Sequence, residues 1–276
     1  MKFGTTSHGR LSCLLITALA VALTPTLGIA QDLKPTVAEL ASADLPDAKE
    51  IIARYIEAIG GEEAIRKTVS KHITGKFLVP SRGVEGNLVL FRSVPDKLLI
   101  RIDVPGKGEM MQGFDGKVGF MSSPQGPSIL KGSQLGQIRE TADFYTELHR
   151  ADKFESMETV ELTEFEGKLC YKVKLISKAG REFAEFFDKE TGLLAGNLGK
   201  QEAQGTTFEQ TTVYSDYKTF GDLLLPTRTA VRIMGSEQVM TYETVEFNTV
   251  DKAVYELPDT VKALVSAEPS IQPDDN

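Results

Sequence analysis

Five glutamates, Glu155, Glu158, Glu161, Glu164 and Glu166, crowd one short stretch of the sequence. A glycosidase needs two carboxyl groups facing each other across a cleft. These lie along one apparent strand instead, where charge discourages edge-to-edge association. Beyond residue 30 the histidines are His72 and His149. Neither sits in a metal-protease helix motif, and two imidazoles cannot supply a three-histidine zinc site. His149, within Glu147-Leu148-His149-Arg150, reads as a charged helix-end residue. Cys170 alternates with Leu169 and Tyr171, which makes it a structural thiol on the opposite strand face. There is no Gly-x-Ser-x-Gly elbow and no phosphate loop. Gly106-Lys107-Gly108 begins like a dinucleotide loop, but Met111 stands where the third glycine belongs. The chain therefore reads as non-enzymatic, with no catalytic residue, metal or cofactor assigned. A hydrolase assembled from dispersed residues is the least favoured alternative.

What the sequence does offer is apolar bulk. Met110, Met111, Phe114, Phe120, Met121, Ile129, Leu130, Phe144 and Tyr145 fall between positions 110 and 145. Methionine adapts to irregular or exchanging apolar partners, which suits a binding cavity. The candidate lining is Met110, Phe114, Phe120, Met121, Leu130, Leu135, Ile138, Phe144 and Tyr145. The alternative is that the same residues fill an ordinary sheet–helix core, which base rates favour for any one of them, and the sequence leaves both readings open.

The elements that must position these groups show in the periodicity. Asp47 and Glu50 have capping-box spacing ahead of Ile51, Ile52, Tyr55, Ile56 and Ile59, an apolar stripe at helical spacing. Gly60-Gly61 ends that helix, and a second short one follows from Glu62 to about Lys67. From Ser70 the period becomes two. Leu98, Ile100, Ile102 and Val104 alternate with Leu99, Arg101 and Asp103, and Leu169, Tyr171, Val173 and Leu175 with Cys170, Lys172, Lys174 and Ile176. Leu223, Leu225, Thr227, Thr229, Val231 and Ile233 continue the theme. Asp115-Gly116, Glu166-Gly167, Ala179-Gly180, Thr191-Gly192, Gly221-Asp222 and Gly235-Ser236 are turn dipeptides, so neighbouring strands run antiparallel. Ten or eleven strands are expected. Leu135, Ile138, Ala142, Tyr145 and Leu148 place a helix between Leu130 and Arg150, after a mobile Ser/Pro/Gly loop at 122–127. Together 122–150 form a candidate lid. Asp251–Leu257 reads as one helical turn. A large antiparallel sheet must have a face covered, and the two helices are the available covers. The expected fold is mainly β: one strongly curved antiparallel sheet with helices across its concave side.

Hydrophobic residues make up 41% of the 276 and charged residues 25%, ordinary values for a folded domain. Lys2 and Arg10, an apolar run from Leu11 to Ala22, and Gly28-Ile29-Ala30 form a secretory signal pattern, with cleavage expected after Ala30. Its removal leaves 29 basic against 39 acidic residues and Cys170 as the sole cysteine. That acidity argues against nucleic acid. No later stretch is long and apolar enough to span a bilayer as a helix. The expected organisation is a signal peptide (1–30), a flexible segment (31–46), one domain (47–262) and a disordered tail (263–276), in the periplasm.

Several stretches are similar to those of bacterial exported proteins known as outer-membrane lipoprotein-sorting proteins. These are Tyr55-Ile56-Glu57-Ala58-Ile59-Gly60-Gly61, Gly113-Phe114-Asp115-Gly116-Lys117-Val118-Gly119-Phe120 and Phe187-Asp188-Lys189-Glu190-Thr191-Gly192-Leu193-Leu194. Ser215-Asp216-Tyr217, Leu225-Pro226, Val245-Glu246-Phe247-Asn248 and Leu257-Pro258 extend the likeness over most of 50–258. The resemblance implies a LolA-like fold, an unclosed β-barrel with a helical lid over an apolar interior. It implies as ligand a lipid or the acyl group of a lipidated protein. An envelope protein-interaction or stress-sensor module on the same fold is the alternative, with an envelope protein as partner.

Overall fold

The computed structural model describes residues 45–178, 180–203 and 206–267. The expected signal peptide, nearly all of the 31–46 segment and residues 268–276 lie outside the described residues.

Two helices open the described chain, α1 (Ala48–Ala58) and α2 (Gly61–Lys67). The Asp47 carboxylate caps α1 by accepting from the Lys49 amide at 2.8 Å. Gly60 between the helices has φ 124°, and a Cβ there would lie 2.3 Å from the Asp222 carbonyl oxygen. Only glycine lets the helix pair dock this closely on the sheet.

Six strands follow: β1 (Ser70–Val79), β2 (Val84–Ser93), β3 (Lys97–Val104), β4 (Gly108–Phe114), β5 (Gly119–Ser123) and β6 (Gly126–Ile129). The chain then crosses through α3 (Gly132–Ala142) and α4 (Arg150–Lys153). It resumes as β7 (Phe154–Phe165), β8 (Lys168–Ser177), β9 (Glu182–Asp188), β10 (Leu194–Ala203), β11 (Thr206–Phe220), β12 (Leu223–Ile233) and β13 (Ser236–Phe247). A 3-10 turn (Lys252–Tyr255) and α5 (Asp259–Ala267) end the described chain.

All thirteen strands form one antiparallel sheet in the order β6-β5-β4-β3-β2-β1-β13-β12-β11-β10-β9-β8-β7. Two meanders are thus joined by one long-range pairing, β1 with β13, in which Lys71 faces Phe247 and Ile73 faces Val245. Strands β6 and β7 remain the two edges, so the sheet is not closed. Strands and helices thus match the expected class, with more strands than the ten or eleven expected. The two short ones, β5 and β6, account for the difference.

Curvature follows from what α1 touches. Ile51, Ile52, Tyr55 and Ile59 form one cluster with Val173, Leu175, Phe187, Leu194 and Leu223, and Met157 and Phe247 pack against it. Those partners reach from β7 to β13, a span of about 29 Å if flat. An eleven-residue helix is only about 16 Å long. A cluster this wide gathered under so short a helix fits a sheet curved toward it, with the helix face as the concave one.

Three sequence expectations change. Residues 122–127 are no loop: Ser123 and Gly126 pair around a Pro124-Gln125 turn, with Gly126 at φ 116°, making β5–β6 a hairpin. The helix between Leu130 and Arg150 stops at Ala142, because the Phe144 amide donates to Pro95 and not to a helical carbonyl. Residues 143–149 therefore cross the sheet in irregular form. At the C-terminal end, α5 carries ordered structure to Ala267, five residues past the expected boundary at 262, with Val261 fully buried.

Candidate functional site

The crossing connection, residues 130–153, lies against the concave face and is tied to it at several points. Arg92 on β2 donates from one guanidinium nitrogen to the carbonyls of Thr141 and Asp143, each at 2.8 Å. The Tyr145 hydroxyl reaches the carbonyls of Thr68 (3.1 Å) and Arg66 (3.2 Å). Arg150, 8% exposed, donates to Glu185 on β9 and to Glu147. Burial alone would lower the Arg150 pKa, but the Glu185 and Glu147 carboxylates raise it and hold the guanidinium charged. Asp143 accepts from Lys153 at 2.6 Å and lies 3.0 Å from His149 Nδ1. His149 is therefore part of this anchoring and not a free helix-end charge.

Beneath the connection, Lys71, Arg92, Glu147, Tyr214 and Tyr242 are all partly open. Yet burial is the largest influence on the pKa of Lys71, Arg92, Tyr214 and Tyr242. It pushes both phenols up and the Arg92 guanidinium down, and with Arg92 beside it the Lys71 ammonium falls to about 8. Half-buried Phe247 and Leu225 pack against the apolar cluster under α1, and half-buried Val245 against the one under α3. The concave face thus carries half-buried apolar side chains close to two cations, Lys71 and Arg92.

The sequence-predicted lining residues divide among four places. Phe114, Leu130 and Ile138 are buried with Ala142, and Leu135 packs on them, beneath α3 on the concave side. Phe144 is buried in the connection with the Lys71 ammonium 5.3 Å from its ring, and Tyr145 follows it. Phe120 points to the other face of the sheet, where it packs with Leu99, Tyr255 and Val261. It shares no surface with Phe114. Met110 and Met121 are exposed. Sequence reasoning missed Lys71 and Arg92. The available signal was phase: Lys71 alternates in step with Ile73 and Phe77, so it points inward with them.

Among the described residues no group of three or more His, Cys, Asp or Glu side chains could hold a metal ion. A separate crevice of about 230 Å³ between Pro46, Glu50, Ile51, Arg54 and Tyr171, Phe187, Asp188, Gly192 falls below the roughly 300–1,000 Å³ of small-molecule sites. No helix of the described residues is long and apolar enough to cross a membrane.

No protein-family model matches the sequence, and no curated protein does. Among solved structures the chain is similar to a LolA superfamily protein from Nitrosomonas europaea, with TM-score 0.53 and 12% identity over 77% of this chain and 99% of that one. It is similar to a DUF1329 family protein from Desulfovibrio piger, at TM-score 0.56 and 11% identity over 77% and 98%. A putative outer membrane lipoprotein-sorting protein domain from Vibrio parahaemolyticus gives TM-score 0.51 and 12% identity over 76% and 97%. The fold is LolA-like. The three solved chains are matched over nearly their whole length, so the likeness takes in the complete LolA-like architecture. At this identity it is a likeness of backbone path, as the turn and strand-end stretches in the sequence imply.

Proposed function

We propose that this protein is a non-enzymatic periplasmic binding or carrier protein. In this reading it holds a lipid, or the acyl group of a lipidated protein, between the concave sheet face and the 130–153 connection. One observation carries the reading: an unclosed sheet whose concave face is crossed by a tied connection and carries half-buried Leu225, Val245 and Phe247. The LolA-like fold and the secretory signal pattern of residues 1–30 agree with it.

The energetics fit a carrier. Burying a methylene contributes about 0.8 kcal/mol, so a sixteen-carbon chain could supply about 12 kcal/mol, near nanomolar affinity. Release then needs a step that offsets part of this gain. The ties made by Arg92, Tyr145 and Arg150 hold the connection closed, and breaking them opens the concave face beneath it. Delipidated protein should bind a fluorescent fatty acid with saturation at one site. Phe144→Asp, in folded protein, should weaken that binding at least tenfold. Saturable uptake that ignores the Phe144 change would place the ligand elsewhere.

A protein-interaction module is the second reading, favoured by the open edge at β7. That twelve-residue strand pairs only with β8 among the described residues. Its outer backbone groups could accept a partner's strand. A stoichiometric protein recovered on the intact chain, together with failure to bind fatty acid, would favour it.

A further inference from the structure

Antiparallel register sets Lys71 directly opposite Arg92 on neighbouring strands. Like charges in this position repel, and burial increases the penalty. Compensation is only partial: Arg92 donates to the Thr141 and Asp143 carbonyls, and Glu147 opposes both charges from a distance. Among the described residues neither side chain forms an ion pair. The Lys71 ammonium lies 5.3 Å from the Phe144 ring, and Arg92 has a buried Nε with no hydrogen-bond partner. The carboxylates of the connection and of β9 are already engaged: Glu147 and Glu185 with Arg150, Asp143 with Lys153 and His149. Next to the two cations the surface turns apolar. Phe247 stands opposite Lys71 on β13, and Leu98 opposite Arg92 on β3.

We propose that Lys71 and Arg92 form a site for the anionic head of an amphiphile, a carboxylate or a phosphate monoester, with its tail along the Phe247 and Val245 surface. The proposal rests on the acyl-binding reading and adds the ligand's charge to it. An anion between the two cations would relieve their repulsion and give the Arg92 Nε an acceptor. Charge-assisted bonds of this kind contribute enough to change affinity roughly tenfold or more.

The test is displacement of a neutral fluorescent probe, N-phenyl-1-naphthylamine, from delipidated full-length protein at pH 7. The competitors are laurate, dodecyl phosphate, dodecanol, dodecyltrimethylammonium and inorganic phosphate. Wild type should prefer laurate and dodecyl phosphate over dodecanol and the ammonium by roughly tenfold. Lys71→Met should shrink that preference several-fold, read as the ratio of laurate to dodecanol competition within each variant. Lys71→Arg should restore it, which separates a charge effect from a packing one. Equal loss for all amphiphiles in Lys71→Met, or no loss for laurate, would overturn the proposal. Inorganic phosphate competing as well as dodecyl phosphate would overturn the amphiphile assignment in favour of a free anion. Failure of the probe and every amphiphile to bind wild type would instead remove the acyl-binding reading beneath it.

Discussion

Arg150 in the crossing connection donates to Glu185 on β9, 35 residues further along the chain, through the interior. Both side chains are about nine-tenths buried. This pair fastens the far end of the connection to the C-terminal meander. Removing one partner of a buried pair leaves the other charged and unmatched, which typically costs about 3–5 kcal/mol. Glu185→Gln keeps the shape and, since Glu147 still faces Arg150, should cost about 3 kcal/mol in urea unfolding. Replacing both, as Arg150→Met with Glu185→Leu, should recover most of that loss. A double variant no better than the single would show that the pair does more than neutralise itself.

The Tyr145 hydroxyl is the corresponding tie near α2. Tyr145→Phe removes donation to the carbonyls of Arg66 and Thr68, with an expected cost of about 1 kcal/mol. Its local effect should be larger than its global one. Amide exchange in 143–149 should quicken while the β8–β9 core stays protected. Unchanged exchange there would mean that Arg92 and the Phe144 amide hold the connection without it.

Lys71 makes stability depend on pH in an unusual direction. Its ammonium, desolvated and facing Arg92, with Glu147 the opposing charge nearby, has its pKa lowered to about 8. The unfolded chain keeps Lys71 protonated to about 10.4. Between those values the unfolded state holds more protons, so the Lys71 contribution to stability improves as pH rises. Below about 8 the full penalty applies. At pH 7, Lys71→Met should therefore be more stable than wild type by about 2 kcal/mol, several degrees in Tm. The gap should narrow from pH 8 to 10. A constant gap across that range would assign the gain to packing.

Cys170 is fully buried on the outer face beside Phe186 and Ala195. Burial, with Asp188 adding to it, pushes the thiol pKa up to about 11. A thiol reagent at pH 8 should leave the native protein unmodified and label it fully in denaturant. Rapid native labelling would mean that this part of the sheet opens readily.

Much of this fold is legible in the sequence because the period-two alternation and the glycine turn dipeptides act locally. Glu166-Gly167 adopts positive φ as a two-residue hairpin turn requires, whereas the expected Gly235-Ser236 turn lies one residue earlier, at Met234-Gly235. The short β5 and β6 escape such reading, since Ser122, Ser123, Gly126 and Pro127 have no alternation and carry loop chemistry. The pairing of Lys71 with Phe247 is invisible locally because 176 positions separate them. The apolar surplus at 110–145 is real, but Phe120 shows how composition misplaces it. One strand residue's shift in phase sends a side chain to the other face. Lys71 and Arg92 were hidden for another reason: charged strand residues ordinarily face water, and although phase turns each inward, only the register sets them side by side.

The central claim is that the concave face under the connection holds an acyl chain. Native mass spectrometry of the intact protein, before and after delipidation and again after incubation with palmitate, tests it most directly. The account predicts a single mass increment from one acyl-bearing molecule, lost on delipidation and regained as one equivalent of palmitate. A bare-protein mass in all three samples would contradict it.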